Sequence, residues 1–199
     1  MITNPLILSQ SLRRQADAIL SALNLFPLWE AQGGEPHLVG ALAYGLALAP
    51  DIDMEIYFNA PTLAQGFEVL KACAGTPGIR AARFRNEMNG PDQGYYWRVD
   101  YRDEDGTLWK VDMWSLSHDH PGPTSREMIA PLLNALDDEK RGAMLQLKAA
   151  VRGEPNLTCP SIYLYQAVLA GGVRDLAGLQ DWLQGRDTTA INDWREWLL

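Results

Sequence analysis

The segment from His37 to Phe58, HLVGALAYGLALAPDIDMEIYF, constrains the fold more than any other part of the chain. An apolar stretch that contains two glycines runs into an alternating stretch, DIDMEIYF, in which Asp51, Asp53 and Glu55 are separated by apolar residues. Because successive side chains of a strand point to opposite faces, this alternation predicts a strand with one buried face. The acidic face is either a solvated surface or a group of carboxylates that holds a cation.

The remaining patterns predict an α+β fold, a mixed sheet with flanking helices followed by a helical lobe. The predicted elements are a helix over 6–23, a strand at HLVG, a short helix at ALAYGLAL, the acidic strand, a helix over 62–73, a strand at IRAARFRN and a hairpin over 95–116. The Asp-Gly pair in DEDGT marks the hairpin turn. A Pro- and Gly-rich linker over 117–125 divides the chain into a core over 1–118 and a helical domain over 119–199.

Composition narrows the classes of protein that the chain can be. The net charge is −8, and the sequence has no basic stripe that could bind nucleic acid non-specifically, so no DNA partner is expected. The two cysteines fit free thiols in a reducing compartment, and no signal peptide is apparent. The apolar run from Leu38 to Pro50 is shorter than the roughly 20 residues of a membrane-spanning helix. We therefore expect a cytoplasmic protein without a membrane partner.

The acids of the alternating strand suit a divalent metal. Asp51 and Asp53 project from the same face, roughly 6.5–7 Å apart along the strand. Neighbouring carboxylates repel each other unless a cation neutralises them, and hard oxygen ligands suit Mg²⁺ or Mn²⁺. A third acid on a neighbouring strand would complete a two-metal site. Glu55 lies on the same face and is expected to be a solvated acid at the rim.

The predicted hairpin repeats Val-Asp and so offers two third acids, Asp100 and Asp112. Asp112 is preferred because it lies between apolar residues in the second hairpin strand, whereas Asp100 is closer to the charged turn. Asp100 remains the alternative, since the register of the hairpin is open. Lys110 lies two residues before Asp112 and is predicted to contact a phosphate, with a cross-strand ion pair as the alternative.

Gly40 stands where a strand turns into a helix, and a glycine there allows close backbone approach to an anion. These features together resemble the signature of the DNA polymerase β-like nucleotidyltransferases. In that signature a hydrophobic residue and Gly-Gly or Gly-Ser precede Asp-x-Asp, and a third Asp follows on a later strand. Gly40 matches the first glycine, Asp51 and Asp53 match the metal-binding pair, and Asp112 matches the third acid. Ala41 stands where the family prefers Ser or Gly, which removes a hydroxyl contact to phosphate but keeps the backbone N–H.

The resemblance implies an enzyme that transfers a nucleoside monophosphate from an NTP, with ATP preferred, to a hydroxyl of a small molecule or protein. It implies Mg²⁺ or Mn²⁺ as cofactor, release of pyrophosphate, and dimers among the possible assemblies. The implied metal-binding and catalytic residues are Asp51, Asp53 and Asp112, and the nucleotide-contacting residues are Gly40, Ala41 and Lys110. The alternative is a nucleotidyltransferase-fold antitoxin or regulatory binding protein with little or no catalysis.

Overall fold

The computed structural model describes residues 4–199, which form helices on both sides of a mixed sheet. The elements are α1 (Pro5–Ala22), α2 (Leu25–Ala31), β1 (Glu35–Val39), α3 (Gly40–Tyr44), β2 (Asp51–Phe58), α4 (Leu63–Ala74), β3 (Ile79–Asn86), β4 (Tyr95–Arg102), β5 (Leu108–Ser117), α5 (Ser125–Ala135), α6 (Asp138–Gly153), α7 (Ser161–Leu169), α8 (Leu176–Leu183) and α9 (Arg195–Leu198). Among these helices, none is long and apolar enough to cross a membrane.

The five strands lie in the order β1-β2-β5-β4-β3. β2 and β5 are parallel, and the three other pairs are antiparallel. The β4–β5 hairpin turns at Gly106, whose φ of +81° a glycine adopts readily. The predicted α+β class, with a mixed sheet, flanking helices and a helical C-terminal part, is confirmed.

One face of the sheet is buried beneath the N-terminal helices. Its apolar side chains include Ile52 and Met54 of β2 and Trp97 of β4, all fully buried in one cluster with residues of α1, α2 and α4. The sequence reading missed α2, whose Trp29 is fully buried in this cluster. Asn24, at a left-handed φ of 52°, separates α2 from α1, and so short a helix gives little periodicity of its own.

The other face carries the acids and is covered over only part of its width. α3 contacts β1 and β2, and α5 contacts β1. A second apolar cluster joins α5 to α8 with Tyr44, Leu46 and Leu48, which lie between β1 and β2 in the chain. On the β3 side this face is open, and the side chains of Arg83 and Arg85 are 55% and 60% exposed. The division at 118/119 into two domains stays a prediction.

Glu55 is not the solvated rim acid that the strand pattern predicts, and that expectation is wrong. The residue is only 7% exposed. One carboxylate oxygen accepts from Ser125 N at 2.9 Å, and the other accepts from Arg126 N at 2.9 Å and from the Tyr57 hydroxyl at 2.8 Å. The first N–H groups of a helix have no partner within the helix and favour a negative charge. Glu55 therefore ties the start of α5 to the strand that carries the acids.

Glu55→Gln is expected to lower the free energy of unfolding by about 1–3 kcal/mol, because an amide loses one acceptor oxygen of a buried, charge-assisted network. Urea titration followed by tryptophan fluorescence measures this loss. Glu35→Gln is the matched control, since Glu35 forms a solvent-exposed pair with Arg126 and such pairs contribute at most about 1 kcal/mol. Equal losses in the two variants would contradict the assigned role of Glu55.

Candidate active site

Three carboxylates from two neighbouring strands converge on the acid-bearing face of the sheet. The parallel register places Asp53 of β2 directly beside Asp112 of β5. One carboxylate oxygen from each of Asp51, Asp53 and Asp112 lies within 4.8 Å of the others, and each side chain is partly exposed. Sequence reasoning named these three residues, and the pairing of β2 with β5 brings them together.

Asp100, the alternative third acid, is engaged elsewhere. It is 6% exposed, and it accepts a hydrogen bond from Arg98 Nε at 2.6 Å. Arg83 Nη2 lies 3.1 Å from its other oxygen. Because two guanidinium groups compensate its charge, Asp100 has no need of a metal, and it stands outside the group of three.

The three grouped acids are compensated far less, since the one ion pair that they form within residues 4–199 joins Asp112 to Arg98 at 3.9 Å. Burial, followed by the charges of Asp51 and Asp112, raises the pKa of Asp53 to about 7. Burial also raises the pKa of Asp51, whose buried Oδ1 has no hydrogen-bond partner within residues 4–199. An unpartnered carboxylate oxygen among repelling acids fits a bound cation, and the all-oxygen donor set fits Mg²⁺ or Mn²⁺.

Strand β4 holds the third acid from the open side. The Tyr96 hydroxyl donates to Asp112 Oδ1 at 2.5 Å, and Arg98 Nε lies 3.9 Å from the same oxygen. Burial and the Asp112 carboxylate raise the pKa of Tyr96 to about 12, so the phenol stays protonated and remains a donor. Residue 96 lies in the hairpin that the sequence predicted, but no sequence pattern assigned it to the site.

Gly40 has a left-handed backbone and lies very close to Asp53. It has a φ of +67°, and it is the first residue of α3. A Cβ at this position would lie 2.9 Å from Asp53 Cγ and would overlap the carboxylate oxygen. Only a residue without a side chain therefore lets the turn approach the acids this closely.

A cavity of about 480 Å³ opens from these residues toward the helical part of the chain. Gly40, Ala41, Asp51 and Asp53 line the end of the cavity nearest the sheet. The other walls come from the region before β2, from α5 to α7 and from the C-terminal segment. The cavity therefore lies between the acids and the helical C-terminal part.

Two cations of α6, Lys148 and Arg152, line this cavity together with Asp51 and Asp53. They are one helical turn apart and so share a face of α6. Burial and the neighbouring Arg152 lower the pKa of Lys148 to about 8, against the opposing effect of Asp53 and Asp51. Sequence reasoning missed both, because nothing local to residues 148–152 indicates that α6 lines the same cavity as Asp51 and Asp53. Lys110 instead lies exposed beside Asp51 in the sheet register, outside the cavity lining.

The fold is similar to that of solved nucleotidyltransferases, which confirms at the level of the fold the resemblance that the sequence predicted. A Cid1 poly(U) polymerase with bound MgGTP is similar at a TM-score of 0.59 and 18% identity, over 80% of this chain and 50% of that one. A cytoplasmic RNA terminal U-transferase is similar at 0.55 and 16%, over 79% of this chain and 45% of that one. The chain thus spans about half the length of these structures. No family model and no curated protein matches the sequence.

Proposed function

We propose that the protein is a metal-dependent nucleotidyltransferase, which transfers a nucleoside monophosphate from an NTP to an acceptor hydroxyl and releases pyrophosphate. The observation that carries this proposal is the group formed by Asp51, Asp53 and Asp112. Asp51 and Asp53 line a cavity that Lys148 and Arg152 also line. A protein that used this fold only as a binding surface would gain nothing from three repelling carboxylates. That is the reason to prefer the enzyme over the regulatory binding protein.

The residues divide into metal ligands and phosphate contacts. Asp51, Asp53 and Asp112 would hold Mg²⁺ or Mn²⁺. When bound, such ions neutralise the phosphate charge and stabilise the attacking and leaving oxygens of an in-line displacement. Asp112 faces the open side of the sheet and would accept the proton of the acceptor hydroxyl. Lys148 and Arg152 would bind the triphosphate from the helical side.

The turn at Gly40 and Ala41 would bring backbone N–H groups to the triphosphate. Lys110, exposed beside Asp51, would approach a phosphate from the open face. These contacts complete the nucleotide side of the proposed site.

For the acceptor we propose a hydroxyl of a small molecule or protein. In-line attack requires the acceptor to approach from the side opposite the leaving pyrophosphate, which is the open face over β5 and β4. The arginines of that face are paired with acids, Arg83 with Asp100 at 3.1 Å and Arg85 with Glu87 at 3.6 Å. Paired arginines offer little free positive charge to a polyanion, although the similar structures include an RNA terminal U-transferase.

Thermal unfolding with each of the four NTPs, with and without Mg²⁺, tests the proposal. Stabilisation that requires both nucleotide and metal is expected, and ATP should give the largest shift. A second assay then follows labelled ATP into aminoglycosides, lincosamides, a cell extract and a short single-stranded RNA. If no nucleotide shifts the melting temperature in either condition, the regulatory binding protein is the better description.

Lys148→Met is expected to weaken Mg²⁺-NTP binding roughly 10- to 100-fold, the equivalent of about 1.5–3 kcal/mol for a charge-assisted hydrogen bond. Because the pKa of Lys148 is about 8 in the free protein, wild-type affinity should fall as the pH rises above 8. It should also fall below about pH 7, where Asp53 takes up a proton and no longer binds the metal. Isothermal titration between pH 6.5 and 9.5 measures both effects. Lys140→Met, on the same helix but outside the cavity, is the control and should retain the pH dependence that Lys148→Met loses.

Ala41→Ser is expected to tighten Mg²⁺-NTP binding by up to roughly tenfold, since one added hydroxyl hydrogen bond contributes about 0.5–1.5 kcal/mol. Ala41 lines the cavity, so a hydroxyl there can reach a phosphate. Ala43→Ser, on the same short helix but outside that cavity, should leave the affinity unchanged. A weaker affinity in Ala41→Ser than in Ala43→Ser would argue that the alanine is required for packing.

A further inference from the structure

The C-terminal segment lines a part of the cavity that contains none of the proposed phosphate contacts. Ile191, Asn192 and Trp194 line it there, together with Met128 and Ile162 of the helices. Within residues 4–199, Asn192 supplies the only side-chain amide among the lining residues. A largely apolar wall with one polar group is the usual composition of a site that binds a flat ring and fixes its orientation.

Both polar atoms of the Asn192 side-chain amide form hydrogen bonds. Its Nδ2 donates to Gln166 Oε1 at 2.9 Å, and its Oδ1 accepts from Trp197 Nε1 at 2.7 Å. Because an indole N–H only donates, the oxygen must face Trp197 and the amide cannot be flipped. An amide has two donors and two acceptor lone pairs. Within the described residues 4–199, one donor and one lone pair therefore stay without a partner, in a fixed arrangement.

The backbone on either side of Asn192 is anchored as well. The Tyr163 hydroxyl lies 3.0 Å from the carbonyl oxygens of Asp187 and Ala190, just before Asn192. Trp194, just after it, donates its indole N–H to Thr124 O at 3.1 Å. The free donor and lone pair are thus fixed by the fold before any ligand arrives, and prior fixation lowers the entropy cost of binding.

We propose that Asn192 reads the edge of the nucleobase and sets the preference among NTPs, an inference that rests on the proposed function. Each nucleobase carries a hydrogen-bond donor next to an acceptor on its edge, but adenine and cytosine present them in the opposite order to guanine and uracil. A side-chain amide whose orientation is fixed therefore pairs better with one order than with the other. With the triphosphate between the acids and α6, the base extends along the wall that carries Asn192. Gln166 and Trp197 act as positioning residues, because they fix the amide without contacting the base.

The test compares Asn192→Ala with wild type for binding of the four Mg²⁺-NTPs and of Mg²⁺-tripolyphosphate, which has no base. Wild type should rank the NTPs, and Asn192→Ala should weaken the preferred one about tenfold and bring the four affinities together. The tripolyphosphate affinity should not change. Trp197→Phe keeps the asparagine but removes the indole donor, so it should lose part of the ranking, again without an effect on tripolyphosphate.

Two results would overturn the inference while leaving the proposed function intact. One is a wild-type protein that binds all four NTPs equally. The other is an Asn192→Ala variant that weakens tripolyphosphate and every NTP by the same factor, which would make Asn192 only a structural link between α7 and the C-terminal segment. If wild type binds neither tripolyphosphate nor any NTP with Mg²⁺, the proposed function fails and the inference fails with it.

Discussion

An Asp53→Asn variant is expected to lose nucleotidyl transfer by about 10³-fold or more and, in metal-free buffer, to unfold at a higher temperature than wild type. The first effect follows because Asp53 lies beside both other acids, so its loss leaves the ions without a central ligand. The second follows because the neutral amide removes a buried charge that repels two neighbours. Pyrophosphate release measures the activity, and scanning calorimetry with EDTA measures the stability.

The difference in stability between Asp53→Asn and metal-free wild type should increase as the pH rises. The pKa of Asp53 is about 7 in the folded protein against an ordinary value of 3.8. Between these values the folded state binds more protons than the unfolded state, so metal-free wild type loses stability as the pH rises from about 4 to about 7. Asp53→Asn lacks this component of the pH dependence. Mg²⁺ should restore stability to wild type above pH 7 and should have little effect on the variant.

Two controls make this prediction specific to the grouped acids. Asp100→Asn removes an acid from the neighbouring strand that arginines already compensate, so it should lower stability but keep Mg²⁺-dependent nucleotide binding. Asp105→Asn removes an exposed acid from the hairpin turn and should change neither quantity. Unchanged Mg²⁺-ATP affinity together with surviving transfer in Asp53→Asn would make the assignment of the site wrong.

A Gly40→Ala variant is expected to lose most of its Mg²⁺-dependent nucleotide binding and transfer activity, in addition to stability. The methyl group would overlap the Asp53 carboxylate. The alanine would also have to keep the left-handed backbone of this position, which residues with a Cβ adopt only at a cost. The backbone strain costs about 1–2 kcal/mol. Displacement of Asp53 then removes the geometry that the ions require. Nucleotide titration with Mg²⁺ and urea unfolding measure the two effects separately.

Gly45→Ala is the matched control for the strain. Gly45 closes the same short helix at a nearly equal φ of +69°, against +67° for Gly40. Among residues 4–199, a Cβ there would meet only the end of the Arg141 side chain, at 2.9 Å. Both variants should therefore lose similar stability, but Gly45→Ala should keep nucleotide binding. If the two variants lose nucleotide binding equally, backbone strain in α3 causes the loss, and the close approach of residue 40 to Asp53 does not.

Much of the fold was predictable because its signals are local. The alternation of DIDMEIYF predicted β2, the Asp-Gly turn predicted the β4–β5 hairpin, and the 3.6-residue period predicted α1. The prediction of Glu55 as a solvated acid failed for the opposite reason. Its environment depends on α5, which begins 70 residues later in the chain and covers this part of the strand. Alternation identifies the two faces of a strand but not which elements cover them.

Local patterns were sufficient to predict the strands of the sheet and the residue types of the acid group, since strand alternation and turn chemistry act over a few residues. That Asp112 joins Asp51 and Asp53 follows from the fold, because the parallel pairing of β2 with β5 and the contacts of Asp100 with its arginine partners depend on how the strands pair. The fold also brings Lys148 and Asn192 to the cavity that Asp51 and Asp53 line. Their placement depends on helices that pack across the sheet, and apolar contacts between distant segments leave no spacing that a single sequence displays.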